Sequence, residues 1–584
     1  MLVPKEEFSN VIQLLSVAGE YGLDTETHGV GFYDRLFGIS IANSEQTYYF
    51  DFLHTLAREQ LSEFKSVFSN TGSTWYIHNA KFDLQKFELE GLSIAGLIYC
   101  TYTNEKLLDN SHLLYNLKET AKRRGLHKVD EVMLYANKNK CYDLVNIPDK
   151  RKRVRKYYFD RVPLDLISNY AGVDAELHYK IGVDQIGSIP ESCAAVVENE
   201  SKLIKVINEM IMTGIRIDEP YIKKAIAHER EQIALAKMEY AAITKEDYGN
   251  GGRLILKKTF DRLLIRYPMT DKGNASFDSD ALSGIDHPIP KIITRIREHE
   301  KNLGTYYSSF LYYSSGHGTI HAFPNQAGTV TGRFSYADPN LQNLPKQETV
   351  DAGEFVVRKC FVPREEFTFV MIDYNQMEFR VLLDYAGQVD MINQVLGGVD
   401  VHQATADMVG ITRKLAKTLN FGLLYGMGNA KLAASLGLTV NHASELRRKY
   451  FSRLPRISVL NQNVMKKAAS AGWIVNRFGR RYKNTNGFEY KMMNHLIQGT
   501  CADVIKFAMT EIYEFLKPYK SRMLVQVHDE ILFEIHNTEY HIIESIKQIM
   551  ERTYKPFNGM TLTCSVEHSR VSWGSCDKVN GTPV

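Results

Sequence analysis

Two stretches far apart in the chain have the residue types that phosphoryl chemistry needs. In Phe367–Leu383, FTFVMIDYNQMEFRVLL, an apolar, β-branched run ends at Asp373, and the pattern then turns helical through Glu378 and Arg380. In Met523–Ile535, MLVQVHDEILFEI, apolar residues flank His528, Asp529 and Glu530 on both sides, the pattern of a hairpin whose turn carries the acids. Burying acids beside such runs is costly without a metal or partner. Hard cations take oxygen ligands, and two carboxylates on rigid elements can clamp a pair of them, one activating the attacking oxygen and one stabilising the leaving oxygen. Each stretch has an ordinary alternative: a strand-ending aspartate that caps the next helix, and a turn histidine. Together they point to a two-metal site.

A second set of acids lies near the start of the chain. In YGLDTETH, Asp24 and Glu26 are two apart on a strand, so both face one surface and repel unless cations sit between them. The strands FGISIAN and TYYFDF follow around a turn at Asn43 and Ser44. In TWYIHNAKFDLQKF, Asn79 and Asp83 are four apart where a strand gives way to a helix, and the spacing predicts a shared face. In LISNYAGVDAELHYKI, Tyr170 and Asp174 are again four apart, on an amphipathic helix. A solvated strand edge would explain the first pair alone. Acids converging from three segments make a metal-binding reading stronger.

Other segments supply groups for a phosphate-rich ligand. RKLAKTLNFGLLY predicts a helix with Arg413, Lys417, Phe421 and Tyr425 on one face, two cations and then two aromatics. Such a face can neutralise a triphosphate and pack on its base or sugar, while Gly422 and Gly426 suggest a hinge or a close approach. MMNHLIQGTCADVIKFAM predicts a helix that carries Asn494 and Gln498 toward one groove. AGTVTGRFSYADPNLQNLP, Ala327–Pro345, is polar and turn-rich with one cation, Arg333, and can wrap a phosphate backbone. RKRVRK, Arg151–Lys156, is either a guide for single-stranded nucleic acid or a solvated loop.

Composition sets the bounds. At 584 residues the chain exceeds one hydrophobic core and predicts two to four domains. It is 44% hydrophobic and 24% charged, ordinary for a globular protein, so disorder does not dominate. Lys and Arg number 71 against 68 Asp and Glu, a net charge of +3, so nucleic-acid binding must come from local basic surfaces. Seven cysteines without a CxxC pair argue against a zinc knuckle or a disulfide framework and read as reduced thiols of a cytoplasmic protein. No apolar run reaches membrane length.

DYNQMEFR, RKLAKTLNFGLLYG and QVHDE, in this order and at these separations, resemble the three polymerase motifs of family A DNA polymerases, the bacterial DNA polymerase I and phage replicase group. The resemblance runs from Asp24 to Trp573. It implies an α/β and α+β multidomain fold: an RNase H-like 3′ to 5′ exonuclease domain over 1–190, then a right-hand polymerase over 191–584 with thumb 198–305, palm 306–384 and 491–584, and fingers 385–490. By the same resemblance Asp373, Asp529 and the Tyr374 carbonyl are metal ligands, Glu530 supports them, and His528 touches the primer terminus. His402 is implied as a further phosphate contact and Glu378 as the residue that excludes a 2′ hydroxyl; Phe421 disfavours dideoxynucleotides where Tyr would admit them. Arg333, Gln342 and Asn343 are implied to grip the primer-template through the minor groove, whose acceptors are nearly the same for every base pair.

In the first part of the chain, Asp24, Glu26, Asp83 and Asp174 resemble the DEDD exonuclease set with the tyrosine variant, in which Tyr170 orients the attacking water and Asn79 contacts DNA. The resemblance implies two Mg2+ per site, with Mn2+ able to substitute, and primer-template DNA and dNTPs as substrates. A replisome helicase and primase are expected partners of a monomer with no thioredoxin-binding insertion. Tyr490 stands where the family usually has arginine; Lys491 and the cluster Arg477, Arg480 and Arg481 are candidates to compensate, a solvated turn being the alternative for the cluster. The start of the chain almost at the exonuclease motif favours a phage replicase. Two rival readings are a stand-alone exonuclease with a DNA-binding second half, and a non-catalytic clamp. Both leave the acids of the second half without a purpose, because acids repel phosphate.

Overall fold

The structure is a computed structural model and describes residues 2–128, 130–270, 272–345, 355–424, 426–485 and 487–578. Two five-stranded sheets carry the acids singled out above, one in each half. The first has the order β3-β2-β1-β4-β5, from β1 (Glu20–Thr27), β2 (Leu36–Ala42), β3 (Thr47–Asp51), β4 (Thr74–Ile77) and β5 (Leu97–Cys100). β1, β2 and β3 pair antiparallel, whereas β4 and β5 continue parallel to β1. All seven residues of β2 are buried, so this strand is covered on both faces.

The helices α1 (Lys81–Leu89), α2 (Thr101–Leu108) and α3 (Leu164–Ser188) flank this sheet. α3 reaches β1 at Gly22, where an added Cβ would stand 2.1 Å from the Ala175 carbonyl and 2.6 Å from the Tyr179 amide nitrogen. Close by, the buried His178 imidazole donates from Nδ1 to the Leu23 carbonyl at 2.7 Å, and burial pushes its pKa down to about 3, so it stays neutral. The helix that carries Tyr170 and Asp174 is thereby held against the strand that carries Asp24 and Glu26.

A separate hairpin, β6 (Tyr142–Val145) and β7 (Val154–Tyr157), stands outside the sheet. α4 (Ala194–Thr213) then leads to an arm in which α5 (Glu219–Thr244) packs on α6 (Pro288–Lys301) around Tyr240, Tyr248, Phe260 and Ile293. Asp218 caps α5 by accepting from the Tyr221 amide at 2.9 Å, and Pro220 sits in the first turn, where its missing N–H costs nothing.

Three short ribbons follow: β8 (Ile215–Arg216) with β9 (Thr319–Ile320), β10 (Phe323–Asn325) with β11 (Ser335–Ala337), and, further along, β13 (Trp473–Val475) with β14 (Arg481–Lys483). The second large sheet is antiparallel throughout, in the order β15-β16-β12-β17-β18. Its strands are β12 (Phe367–Tyr374), β15 (Arg522–Val527), β16 (Glu530–His536), β17 (Cys564–Ser569) and β18 (Asp577–Lys578). α7 (Met377–Ala386), α8 (Val401–Val409), α9 (Arg413–Leu424) and α10 (Met492–Leu516) complete the parts used below.

The turn-rich segment around Arg333 is held from several sides. Lys106 on α2 donates to the Ala327 carbonyl, and Asn110 donates to the Val330 carbonyl at 3.1 Å. Beneath the segment, Arg480 pairs with Glu200 and Asp503 in a wholly buried network that also includes Lys506. At Gly332, whose φ is +83°, an added Cβ would stand 3.0 Å from the Arg480 guanidinium, so a side chain there would collide. The proposed role of the Arg477, Arg480 and Arg481 cluster is thus corrected at Arg480. Arg480 is buried in internal ion pairs, Arg477 lies on the rings of Tyr554 and Phe557, and Arg481 lies over Trp473. Arg480 is neither part of a solvated turn nor a substitute template contact, because its charge is already met inside the fold by Glu200 and Asp503; Arg477 and Arg481 are half-buried.

Candidate active site

In the first half the four acids form one electrostatic unit. Glu26, Asp83 and Asp174 are buried, and Asp24 is half-buried on the same side of β1 as Glu26. Burial raises the pKa of Asp24 well above the carboxylate range, and the charges of Asp83, Asp174 and Glu26 raise it further. Glu26 and Asp174 are raised in the same way, and burial pushes Asp83 up to about 7 although Thr25 donates to it from both its amide (3.1 Å) and its hydroxyl (2.7 Å). Lys128, which sequence reasoning missed, pairs with Asp174, donates to the Tyr170 hydroxyl at 3.2 Å and lies 4.2 Å from the centre of that ring.

Oε1 of Glu26 and Oδ1 of Asp174 are buried and meet no hydrogen-bond partner among the described residues. Asp83 stands in the first turn of α1, but Asn79 precedes the helix with φ 63°, so the expected shared helical face is corrected: a left-handed residue breaks the helical repeat between them.

In the second half Asp373 is the penultimate residue of β12, facing Glu530 across one edge and Ser565 across the other. His528 and Asp529 form the two-residue turn between β15 and β16, with His528 exposed at φ 54°. The Tyr374 amide donates to the Asp529 carbonyl at 3.2 Å, which pins the turn beside the strand end and brings Asp373 and Asp529 together. Tyr374 itself is buried, its hydroxyl donating to the Met550 carbonyl at 2.7 Å.

Burial, then the charges of Glu378, Asp373 and Glu530, push Asp529 up to about 7 against the opposing charge of Arg333. Oδ1 of Asp529 has no hydrogen-bond partner among the described residues, and the Arg333 guanidinium is 3.9 Å from it while donating to Glu378. Glu530 is buried and accepts from Arg358 at 3.2 Å; Arg358 in turn lies over Trp573.

No three His, Cys, Asp or Glu side chains among the described residues form a closed metal cage. A hard divalent cation takes carboxylate oxygens together with waters and substrate phosphates. The orphaned oxygens of Glu26, Asp174 and Asp529 are hard donors of the right kind for it.

α9 presents Arg413 and Lys417 to solvent and leaves Phe421 half-buried; Tyr425 lies outside the described residues. Arg413 makes a bidentate pair with Asp400, at 3.1 and 2.9 Å. Burial works against the Asp400 charge, but Arg413, the Gln403 amide and Gln376 hold its pKa down to about 2. His402 is 4% exposed and its Nδ1 accepts from Asn420 at 3.0 Å, so the proton belongs on Nε2. Gly422 faces Leu432 and Met427, where an added Cβ would come within 3.3 Å, a close approach and not a helix break.

Gln342 lies 3.5 Å from Gln526, and Asn343 is exposed, its carbonyl accepting from Tyr306. Asn494 and Gln498 are half-buried on α10. Lys128, Arg358, Asp400 and Asn420 carry no motif of their own. The one available signal was that buried acids of this number require nearby cations.

The sequence matches the 3′-5′ exonuclease domain over residues 1–183 and the DNA polymerase family A domain over 228–575. DNA polymerase I of Caldicellulosiruptor bescii is 32% identical over 387 residues, covering 62% of this chain and 45% of its own length. DNA polymerase I of Chloroflexus aurantiacus is 28% identical over 532 residues, 85% of this chain and 54% of its own. The chain thus spans about half the length of these relatives. The polymerase domain of Pol1 from M. smegmatis, solved with a DNA primer-template and dNTP, superposes with a TM-score of 0.82 at 21% identity over 98% of this chain and 99% of its own, a likeness of fold. Polymerases and exonucleases of these families depend on divalent metal ions. With more than half of its length matching the polymerase domain, and the exonuclease domain ahead of it, the chain belongs to DNA polymerase family A.

Proposed function

We propose that the chain extends the 3′ end of a DNA primer along a template with dNTPs, and proofreads by removing nucleotides from the 3′ end. Excision is assigned to 1–190 and synthesis to 191–584, with thumb 198–305, palm 306–384 and 491–584, and fingers 385–490. One observation carries the reading: Asp529, half-buried beside Asp373, Glu378 and Glu530, keeps a buried oxygen with no hydrogen-bond partner among the described residues and a pKa raised to about 7. A fold that buries so much negative charge around one exposed hairpin turn is built to receive positive charge there.

Asp373, Asp529 and the Tyr374 carbonyl would hold two Mg2+, or Mn2+ in their place, with Glu530 fixed behind them by Arg358. When bound, the ions supply the charge that activates the primer hydroxyl and neutralises the leaving pyrophosphate. Arg413, Lys417 and His402 bind the triphosphate, while Phe421 and Tyr425 pack on the base and sugar. Glu378, fixed by Arg333, closes the space at the 2′ position. His528, next to Asp529 in the turn, meets the primer end, and Arg333, Gln342, Asn343, Asn494 and Gln498 follow the duplex. In the first half Asp24, Glu26, Asp83 and Asp174 hold the second pair of ions, Tyr170 orients the attacking water and Asn79 contacts the strand.

The described residues contain no helix long and apolar enough to cross a membrane, and the seven cysteines are free thiols, which fits the cytoplasm. The test is primer extension and 3′ excision with Mg2+ by Asp529→Asn and Asp24→Ala. Extension is lost in the first and excision in the second; extension that survives Asp529→Asn overturns the polymerase site.

A further inference from the structure

A row of aromatic rings leads away from the nuclease acids, with cations beside it. Starting at Tyr170, ring centres step 6.3 Å to Phe159, 6.1 Å to Tyr157 and 5.5 Å to Tyr142. All four rings are half-buried, and Tyr157, Phe159 and Tyr170 pack against a small apolar cluster that includes Val132, Ala136 and Ile167. The row ends on the β6–β7 hairpin, where Arg155 lies 4.6 Å from the centre of the Tyr142 ring. Arg161 and Lys156 flank the neighbouring Tyr158 ring at 4.1 and 5.7 Å.

The hairpin connection adds Lys150, Arg151, Lys152 and Arg153, all exposed. Lys150 pairs with Asp149 and Asp338, and Lys156 with Asp34. Arg151, Lys152, Arg153 and Arg155 meet no acid among the described residues. The Lys150–Asp338 pair and the Tyr313 hydroxyl, which shares its proton between Asp338 (2.8 Å) and Asp149 (3.2 Å), tie the hairpin connection to the second half of the chain. The basic tip is therefore anchored, not a free loop.

Cations that follow a backbone, interleaved with rings on which unpaired bases stack, are what a single strand requires; a duplex hides its base faces and gains nothing from the rings. We propose that the β6–β7 hairpin and the rings of Tyr142, Tyr157 and Phe159 form a track for single-stranded DNA, holding the nucleotides behind the 3′ end while the end itself lies at Tyr170 and the acids. The proposal rests on the nuclease reading above. It gives the Arg151–Lys156 run a ligand and a use to the ring-to-ring contacts that connect the hairpin to Tyr170.

The experiment measures excision of a single-stranded oligonucleotide by the full chain across a range of salt, with primer extension in parallel. A variant with Arg151→Gln, Lys152→Gln and Arg153→Gln raises KM for the single strand, and its log–log salt dependence is shallower by about 2, at about 0.7 per lost phosphate contact. Tyr142→Ala raises that KM roughly tenfold, the stacking of about one base, whereas Tyr142→Phe keeps it. In each case the loss falls on KM and not on kcat, and extension of a duplex primer is unchanged. Unchanged KM and salt slope in both the triple variant and Tyr142→Ala, with the parent still active, overturn the track and leave the nuclease reading standing. An equal loss on primer extension also overturns it, by making the hairpin a general duplex grip. A parent with no excision overturns both.

Discussion

Arg333 donates to the Glu378 carboxylate at the point where its guanidinium also stands 3.9 Å from Oδ1 of Asp529. One side chain therefore joins the acid assigned to sugar selection with an acid assigned to catalysis. Glu378→Ala removes the bulk beside the sugar and releases Arg333 toward Asp529. Discrimination against ribonucleotides falls by at least about tenfold, some 1.4 kcal/mol in the transition state, and kcat for dNTPs falls with it. Comparing kcat/KM for one rNTP and its dNTP checks this. Rejection of ribonucleotides as strong as in the parent would contradict the assignment.

Asp83 and Asp529 are each pushed up to about 7, well above an unfolded aspartate at about 3.9. A carboxyl raised on folding contributes stability that is whole below the unfolded value and is lost as pH rises through the folded one. Without divalent ions, the melting temperature therefore falls between about pH 4 and about pH 7. Mg2+ binds the ionised form, so its addition near neutral pH releases protons, and its affinity rises over the same interval. Calorimetry in buffers of different ionisation enthalpy reads the proton count, and a count of zero near pH 6.5 would exclude these acids as ligands.

Asn420 donates to Nδ1 of His402, leaving the proton on Nε2. Asn420→Leu removes that constraint and lets the imidazole populate the tautomer that presents the wrong nitrogen to a phosphate. KM for the incoming nucleotide rises about fivefold, the value of about one hydrogen bond, with a smaller change in kcat. Single-nucleotide incorporation measures it; an unaltered KM would mean that His402 does not touch the triphosphate.

Lys106, on a helix of the first half, holds the Ala327 carbonyl in the segment that bears Arg333. Lys106→Met removes a charge-assisted bond between the halves worth about 1.5 to 3 kcal/mol, and KM for primer-template rises roughly tenfold. Lys106→Arg restores part of the loss. If duplex affinity is unmoved, the segment keeps its shape without the brace.

The parts legible in the sequence were those with a local signature. Alternating apolar residues around His528 and Asp529 marked a hairpin turn, and the run into Asp373 marked a strand end, because strand periodicity and turn chemistry act over a few residues. The face of Arg413, Lys417 and Phe421 followed from helical spacing in the same way. What could not be read was the identity of each partner. Lys128 on Asp174, Arg358 on Glu530 and Asp400 on Arg413 join residues through tertiary folding, and an ion pair leaves no spacing behind. Arg480 misled for that reason, since a basic residue looks the same whether solvent or Asp503 answers it. Asn79 misled through its backbone, whose left-handed turn breaks the helical count.

The contact at Gly22 bears on how the excision centre keeps its dimensions. Nothing but a hydrogen separates that strand from the Ala175 carbonyl, so the gap between the ligand-bearing strand and the ligand-bearing helix is set by the smallest residue there is. Even a methyl group at this position would wedge the two apart and leave every acid in place but out of reach of a shared ion. Editing would fail in a protein whose copying centre, built on the other sheet, is untouched.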